Sequence, residues 1–199
     1  MSLAFLSPVG EAEAIARSPM ERLAKAAGAQ FEVRDGWNVA VRYLGEAPGN
    51  PVAWADVSHL PKWEVRGPDV GDELGSARRE GETWWCGLTR ERALLLGGSA
   101  PEDALDVTCN YAALRIFGPQ ARETIARFCA LDLRPGQAPP QSFRPGSIAR
   151  QPGMVLVEAP DRFLLLFGWA VGEYLWTVVA DAAKALGGRP VGIGALNDA

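Results

Sequence analysis

The chain has 199 residues, of which 48% are hydrophobic and 22% are charged, and its formal net charge is −4. This composition is typical of a globular fold with a substantial core, and the negative charge argues against a general nucleic-acid binder and against binding to anionic membranes. No apolar run reaches the roughly 20 residues of a membrane helix, and residues 1–9 lack the basic start and the long apolar core of a secretory signal. We therefore expect a cytoplasmic protein without nucleic-acid or membrane partners.

The cysteines and the single histidine limit the chemistry further. Cys86, Cys109 and Cys129 are widely spaced and form no Cys-x-x-Cys pair. An odd number of dispersed cysteines is typical of reduced thiols rather than disulfides. With His59 as the only histidine, a zinc site is not expected. The chain also lacks a glycine-rich phosphate loop, so it is not expected to hold a nucleotide itself.

In chain order, residues 1–17 are predicted to form an N-terminal arm. Ser18-Pro19-Met20-Glu21 has the pattern of a capping box with proline at the first helical position, and it predicts a helix that ends at Gly28. Further helices are predicted after Gly118-Pro119 and over residues 173–186. Alternating or apolar segments predict strands over 31–35, 37–43, the residues after Val52, 62–66, 83–88, 93–96, 147–150, 154–158 and 163–167.

Three of these strand segments carry more detailed expectations. Asp35-Gly36 predicts a tight hairpin turn. In 62–66, Trp63 and Val65 are expected on the buried side of the strand. Trp84 and Trp85 put one ring on each face of a strand, so that either one ring is in the core or both are buried in a doubly covered sheet. Residues 131–143 are predicted to be an extended loop.

One pattern occurs twice. Asp56-Val57-Ser58 recurs 50 positions later as Asp106-Val107-Thr108, and Gly67-Pro68 recurs 51 positions later as Gly118-Pro119. Two copies are too few for a solenoid, which needs about three stacked units. Paired strands with helices between them predict an α+β fold with mostly antiparallel sheets. We expect one domain over 18–199, built from two similar halves of about 18–100 and 101–199.

A family resemblance rests on this repeated region. Asp56-Val57-Ser58-His59-Leu60, followed by a strand and Gly67-Pro68-Asp69, resembles a signature of the glycine-cleavage T-protein, an aminomethyltransferase. Its folate-binding superfamily also includes folate-dependent demethylases and parts of heterotetrameric sarcosine oxidase. Ser18 to Tyr43, Tyr111 to Ala121 and Arg189 to Leu196 resemble further blocks of the family in the same order. The resemblance implies a T-protein folate-binding fold and a role in one-carbon metabolism.

The chain departs from the family where the resemblance implies acidic residues. The segment corresponding to Gly-x-x-x-Asp-Asp is Gly81 to Gly87, which contains no aspartate. The turn corresponding to Gly-Glu-Asp-Gly is Ala159 to Arg162, which has no glutamate in register. Glu158 lies two positions away and is expected to point elsewhere. The further carboxy-terminal domain of the family has no counterpart before Ala199.

These departures resemble the gamma subunit of heterotetrameric sarcosine oxidase. Cys129 to Pro135 and Phe143 to Ala149 are similar to stretches of that subunit. The resemblance implies an accessory, non-catalytic gamma-type subunit without catalytic residues of its own. It also implies hetero-oligomeric flavoprotein partners that carry the flavin and the NAD, with tetrahydrofolate as a candidate ligand of this chain.

The expected ligand-binding residues are Asp56, Ser58, His59 and Leu60, which the resemblance implies to lie at a folate-type pocket. His59 is the sole candidate for a general base near neutral pH. The alternative is structural: Asp56 or Ser58 bonds nearby backbone in a turn, and Leu60 belongs to the core. The residues alone leave both interpretations open.

Two other functions remain open at this stage. One is a small folate-dependent aminomethyltransferase or demethylase that uses Asp56 and His59 as polar pocket residues. The other is a folate-binding sensor or assembly factor, although the Lys-Gly-Cys-Tyr motif of the iron–sulfur-related branch is absent from the sequence. Whether the chain is itself an enzyme is therefore undecided.

Overall fold

The computed structural model describes residues 14–46, 49–71 and 74–196. It contains three α-helices: α1 (Glu21–Ala26), α2 (Ala121–Ala126) and α3 (Gly172–Lys184). Its strands are β1 (Ala16–Arg17), β2 (Ala29–Arg34), β3 (Trp37–Tyr43), β4 (Ala53–Asp56), β5 (Lys62–Arg66), β6 (Ala77–Glu80), β7 (Thr83–Thr89), β8 (Arg92–Leu96), β9 (Leu105–Asp106), β10 (Tyr111–Phe117), β11 (Ser142–Ile148), β12 (Gln151–Ala159), β13 (Arg162–Gly168) and β14 (Arg189–Pro190). The predicted α+β class with mostly antiparallel sheets is confirmed.

The strands form three sheets. The small sheet has the order β1-β3-β2, the central sheet has the order β11-β12-β13-β10-β4-β14, and the outer sheet has the order β6-β7-β8-β5-β9. Neighbours pair antiparallel except for β1 with β3 and β14 with β4, which are parallel. Of the expected arm, residues 1–13 lie outside the described residues, and Ala16–Arg17 pairs with β3.

The central sheet separates two hydrophobic clusters because successive side chains of a strand point to opposite faces. On one face, Trp54, Leu114 and Leu165 pack with residues of the three helices, such as Leu175. On the other face, residues such as Leu164 pack with Trp84, Leu94 and Leu96 of the outer sheet. The molecule is therefore layered, with helices, central sheet and outer sheet in that order.

Most predicted elements are confirmed. The hairpin of β2 and β3 turns at Asp35 and Gly36, whose φ angles of 49° and 75° match the turn type that suits a two-residue hairpin. Helix α3 begins and ends close to its predicted limits, and β7, β8, β12 and β13 lie at the predicted positions. Trp84 is buried against the second cluster, whereas Trp85 is half-buried on the opposite face, under the guanidinium of Arg78.

Other local predictions are wrong. The capping box does not form: the Ser18 hydroxyl accepts from the amide of Met20, and Glu21 binds Arg17 and Asn38 instead. Strand β11 begins at Ser142, inside the expected loop and before the strand expected at Ser147. β11 is an edge strand, where a proline such as Pro145 costs no ladder hydrogen bond.

The buried side of β5 is also the reverse of the prediction. Lys62 is fully buried and Glu64 is 7% exposed, whereas Trp63 and Val65 are half-buried on the outer face. Glu64 is satisfied there by Arg66 and Arg92. Ion pairs and hydrogen bonds supplied by other segments thus override the hydrophobic alternation.

None of the helices that the structure describes is long and apolar enough to cross a membrane.

Candidate functional site

A cavity of about 660 Å³ lies beside the second cluster, between the central and outer sheets. Its apolar wall is formed by Val57, Leu60, Trp84, Leu96, Ile193 and Leu196. Its polar lining consists of His59, four arginines (Arg34, Arg79, Arg115 and Arg162) and three acidic residues (Glu82, Glu158 and Asp161). This size and this mixture of an apolar wall with a few polar groups are typical of small-molecule sites.

A second cavity of about 600 Å³ adjoins the first at the turn of Asp161 and Arg162, which lines both. Its walls include Phe117 and Val191. We take the first cavity as the candidate site because it contains the only histidine of the chain, His59.

The turn that carries His59 follows β4 directly. The Asp56 carboxylate accepts hydrogen bonds from the amide of Ser58 at 3.0 Å and from its hydroxyl at 2.7 Å. The Ser58 hydroxyl in turn accepts from the amide of Ala113 on β10 at 3.1 Å. Asp56 and Ser58 are both buried and lie behind the cavity wall, so they build the turn, whereas His59 and Leu60 line the cavity.

The buried side chain of Lys62 binds the backbone of the same turn. Its ammonium donates to the carbonyl of Ser58 at 2.8 Å and to the carbonyl of Leu60 at 2.9 Å. These two carbonyls flank His59 in sequence. The sequence analysis did not identify Lys62, because a lysine that alternates with tryptophan along a strand is expected to be exposed. Nothing in the sequence pattern indicates that two backbone carbonyls bind its ammonium.

Burial and neighbouring charges determine the protonation states of His59, Lys62 and Asp56. Burial, followed by the positive charges of Lys62 and Arg115, lowers the pKa of His59 to about 4, so that the imidazole is neutral at pH 7. Burial lowers the pKa of Lys62 to about 8, opposed by the nearby carboxylate of Asp56. Burial also raises the pKa of Asp56, against the hydrogen bonds from Ser18 and Ser58 and the charge of Lys62.

An ion pair lies in the cavity wall on the central sheet. Arg115 on β10 donates from Nε and from a terminal nitrogen to the two carboxylate oxygens of Glu158 on β12, each at 2.8 Å. The side chains are 18% and 7% exposed. This bidentate geometry is the strongest form of an arginine–carboxylate ion pair. It satisfies both oxygens of Glu158 and leaves that carboxylate with a charged partner.

The position of Glu158 corrects the expectation that it points away from the site. Glu158 lies where the pairing of β12 with β13 shifts register, and its carboxylate meets Arg115 on the cavity side of the sheet. Met154 and Leu156 on that face pack toward the outer sheet, and Glu158 continues the row into the cavity. The residue is therefore part of the candidate site.

Two arginines of the lining stack on aromatic rings, Arg79 on the outer sheet and Arg162 on the central sheet. The guanidinium of Arg79 lies 5.7 Å from the ring of Trp84, and its Nε donates to the carbonyl of Gly81 at 3.1 Å. The guanidinium of Arg162 lies 5.8 Å from the ring of Phe117. Stacking of this kind holds the cations along aromatic surface. The lining therefore presents guanidinium groups beside aromatic surface.

The two copies of the repeated pattern meet beside the site. In the first copy, Ser58 accepts from the amide of Ala113; in the second, Thr108 accepts from the amide of Lys62 at 3.0 Å. Asp106 accepts from the amide of Thr108 at 2.8 Å, as Asp56 does from that of Ser58. Each copy therefore uses the same acid and hydroxyl to bind the backbone of the other.

The structure offers no metal-binding group within residues 14–46, 49–71 and 74–196, where no three histidine, cysteine or acidic side chains gather. Cys86 and Cys129 are buried and Cys109 is exposed, and all three are free thiols. Burial raises the pKa of both buried thiols, which makes them poor nucleophiles.

Comparison with known proteins gave matches in structure only. No protein-family model and no curated protein sequence matched the chain. A chain of the heterotetrameric sarcosine oxidase from Corynebacterium sp. U-96, solved in complex with pyrrole 2-carboxylate, matches with a TM-score of 0.68 and 17% identity over 85% of this chain and 95% of that chain. The glycine cleavage system aminomethyltransferase T from Bartonella henselae matches with a TM-score of 0.72 and 15% identity over 91% of this chain and 60% of that chain.

The two matches differ in extent. The chain spans nearly the whole of the matching sarcosine oxidase chain but about 60% of the aminomethyltransferase. At these identities the likeness establishes the fold. The chain therefore has the T-protein-like fold, which it shares with a chain of a heterotetrameric sarcosine oxidase and with a glycine-cleavage aminomethyltransferase.

Proposed function

We propose that this chain is an accessory, non-catalytic subunit of gamma type in a sarcosine oxidase-like complex that oxidises N-methyl amines in the cytoplasm. Its fold and its near-complete coverage of a chain of such an oxidase support the proposal. The flavin and the NAD would reside on partner subunits.

The observation that carries the non-catalytic part is the pairing of Glu158 with Arg115. One-carbon transfer from an amine to folate needs a group that stabilises or relays charge at the amine, and a free carboxylate is the usual device. The best-buried carboxylate of the cavity is already neutralised by a guanidinium. His59, with its lowered pKa, is a weak base in this position. The best-buried carboxylate of the cavity is therefore not free for this chemistry.

The experiment that tests the accessory role is affinity purification of the tagged chain from its source cell. We expect the chain to recover flavoprotein subunits, recognised by the absorption of bound flavin and by sarcosine-dependent reduction of that flavin. Recovery of a well-folded chain without any flavoprotein would contradict the proposal.

A second candidate is a folate-binding protein, either a small aminomethyltransferase or a demethylase. It is favoured by the cavity itself, whose volume and arginine-containing lining suit a flat, negatively charged ligand such as a reduced folate. In this function Leu60 and Trp84 would contact the ring system, and His59 would offer a neutral imidazole to it.

Calorimetric titration with folinic acid separates the two candidates. Leu60→Glu places a charge in the cavity wall, and Leu105→Glu places the same charge on a side chain that is 59% exposed elsewhere. Folate binding that is lost in the first variant and kept in the second would assign the ligand to this cavity. Binding together with turnover of tetrahydrofolate and methylated glycines would favour the enzyme; a folded chain without binding would leave the accessory role alone.

A further inference from the structure

Lys62 is fully buried, although it lies only three residues from the cavity-lining His59. A lysine is almost never buried completely unless its ammonium is paired. Two of its three hydrogen-bonding directions are used by the carbonyls of Ser58 and Leu60. The ammonium thus closes a ring with the backbone on both sides of His59. With both carbonyls drawn inward to Lys62, the side chains of His59 and Leu60 occupy the cavity wall.

The two repeat copies differ in this ammonium. The amides of Lys62 and Ala113 make equivalent bonds, each to the hydroxyl of the other copy's turn. At the position equivalent to Lys62, the second copy therefore has an alanine, and its turn forms without a cation. The lysine is found only in the copy whose turn lines the cavity.

The charges around this pair come from several elements. His59 faces the cations of Lys62, Arg115 and Arg34, which lower its pKa in addition to the larger effect of burial, and it faces Asp35, which acts in the opposite direction. Burial lowers the pKa of Lys62, and its interactions with Asp56, Cys109 and Asp106 oppose this shift. The charge of Lys62 therefore acts on His59, and a different set of groups acts on Lys62.

We propose that Lys62 is a positioning residue of the ligand cavity, whose buried ammonium fixes the Ser58–Leu60 turn and so orients the side chain of His59 toward the ligand. The inference rests on the proposed use of this cavity as a ligand site. It implies that the geometry of the cavity depends on pH. When Lys62 loses its proton, the remaining amine donates more weakly to the two carbonyls, and the turn that carries His59 is held less firmly.

The test uses the fact that the chain has one histidine and three lysines, Lys25, Lys62 and Lys184. NMR spectra of the full chain with isotope-labelled histidine and lysine then report on His59 without an assignment problem. Lys25 and Lys184 are exposed, so a lysine ammonium signal that persists against exchange with water is expected from Lys62 alone.

The pH titration runs from well below pH 4 to pH 10.5, so that it spans the transitions of both groups. In the wild type, the imidazole signals of His59 should shift once in acid and a second time near pH 8, where the imidazole is already neutral and does not itself titrate. The second shift should coincide with loss of the protected ammonium signal. Absence of either event near that pH would overturn the proposal.

Variants separate positioning from general stability. Lys62→Met should abolish the second shift and move the acid transition of His59 upward, because a neighbouring positive charge has been removed. Lys62→Arg retains the charge and should keep the acid transition low, and Lys184→Met on the surface should leave both shifts unchanged. A second shift that persists in Lys62→Met would also contradict the proposal, and if that variant does not fold, the wild-type titration decides.

Folinic acid binding is then measured at pH 7 and above pH 8 for the same proteins. A tenfold or greater loss of affinity in Lys62→Met, with partial rescue in Lys62→Arg, is expected if the turn positions a ligand. Equal affinity in the wild type and Lys62→Met would overturn the positioning role. If no protein binds folinic acid while His59 still reports the transition near pH 8, the folate assignment fails and the coupling of the two residues stands.

Discussion

Ser58 and Thr108 exchange equivalent hydrogen bonds: the first accepts from the amide of Ala113 at 3.1 Å, and the second accepts from the amide of Lys62 at 3.0 Å. The sequence repeat therefore has a structural role, because the hydroxyl of each copy accepts a hydrogen bond from a buried backbone amide of the other copy. We infer from this reciprocity that the chain is built from two related halves of about 18–100 and 101–199.

These two hydrogen bonds predict that removal of the Ser58 hydroxyl and removal of the Thr108 hydroxyl lower the free energy of unfolding by different amounts. Thr108→Val leaves the amide of Lys62 without a partner, which should lower the free energy of unfolding by about 1–3 kcal/mol. Ser58→Ala should cost more, because its hydroxyl also donates to Asp56 at 2.7 Å. Urea denaturation measures both, and Thr108→Ser, which keeps the oxygen, is the control. Equal stability of Thr108→Val and wild type would refute the role of the bond.

The Arg115–Glu158 pair predicts a strong dependence of each residue on the other. Arg115→Met leaves a carboxylate that is 7% exposed without its cation, and it should lower the free energy of unfolding by about 3–5 kcal/mol. The double variant Arg115→Met with Glu158→Met should recover most of this loss, because no charge remains buried. A double-mutant cycle by denaturation checks the coupling, and additive losses would contradict it.

His59 predicts a specific pH dependence of stability. Its pKa is about 4 in the folded protein and 6.5 in the unfolded chain, so the unfolded state binds the proton more readily. The stability that His59 contributes is therefore present above pH 6.5 and is lost as the pH falls toward 4. His59→Gln should remove this part of the acid sensitivity, which is worth about 1–3 kcal/mol.

The measurement for His59 is the free energy of unfolding at several pH values for the wild type and for His59→Gln. Glu64 and Asp132 have lowered pKa values and also lose stability in acid, but they do so in both proteins. Only the difference between the two curves reports on His59. Parallel curves between pH 6.5 and pH 4 would show that His59 protonates freely in the folded state.

The turn between β11 and β12 predicts a stabilising substitution. Ala149 and Arg150 both have left-handed backbones, with φ of 49° and 64°, in a two-residue turn that favours Asn-Gly. Arg150 is exposed, so Arg150→Gly should raise the free energy of unfolding by about 0.5–1 kcal/mol. Arg150→Ala keeps the Cβ and should give no gain; thermal denaturation compares the three proteins. A gain of equal size in both variants would assign the effect to the arginine side chain.

The sequence predicted those parts of the fold whose signals are local. The Asp35-Gly36 turn and the apolar run of β13 need no distant partner to be recognised. Strand β6 was not predicted, because Arg78-Arg79-Glu80 shows no hydrophobic alternation. Its two arginines instead lie over the rings of Trp85 and Trp84 on the neighbouring strand, a contact that depends on pairing and is invisible in the segment itself.

The site was predictable to a similar extent. The motif around His59 located the turn, but the sequence left open which of its residues face a ligand. That division follows from the tertiary contacts of Ser58 with Ala113 and of Lys62 with two carbonyls. The prediction that Glu158 points away from the site was wrong, because neither the register shift of its strand nor its pairing with Arg115 can be recognised in the segment. A single sequence does not show which charged side chains from distant segments pair with one another in the folded protein.

The pairing of β4 has a consequence for the order in which the molecule can assemble. This strand lies between β10 and β14, so both of its edges are completed by segments that are synthesised much later. While the chain is still on the ribosome, β4 and its buried Trp54 have no native partner on either side. This buried strand is therefore made early and paired late, which makes folding slow and exposes an aggregation-prone edge. Newly made chains should thus depend on chaperones more than the stability of the finished protein would indicate.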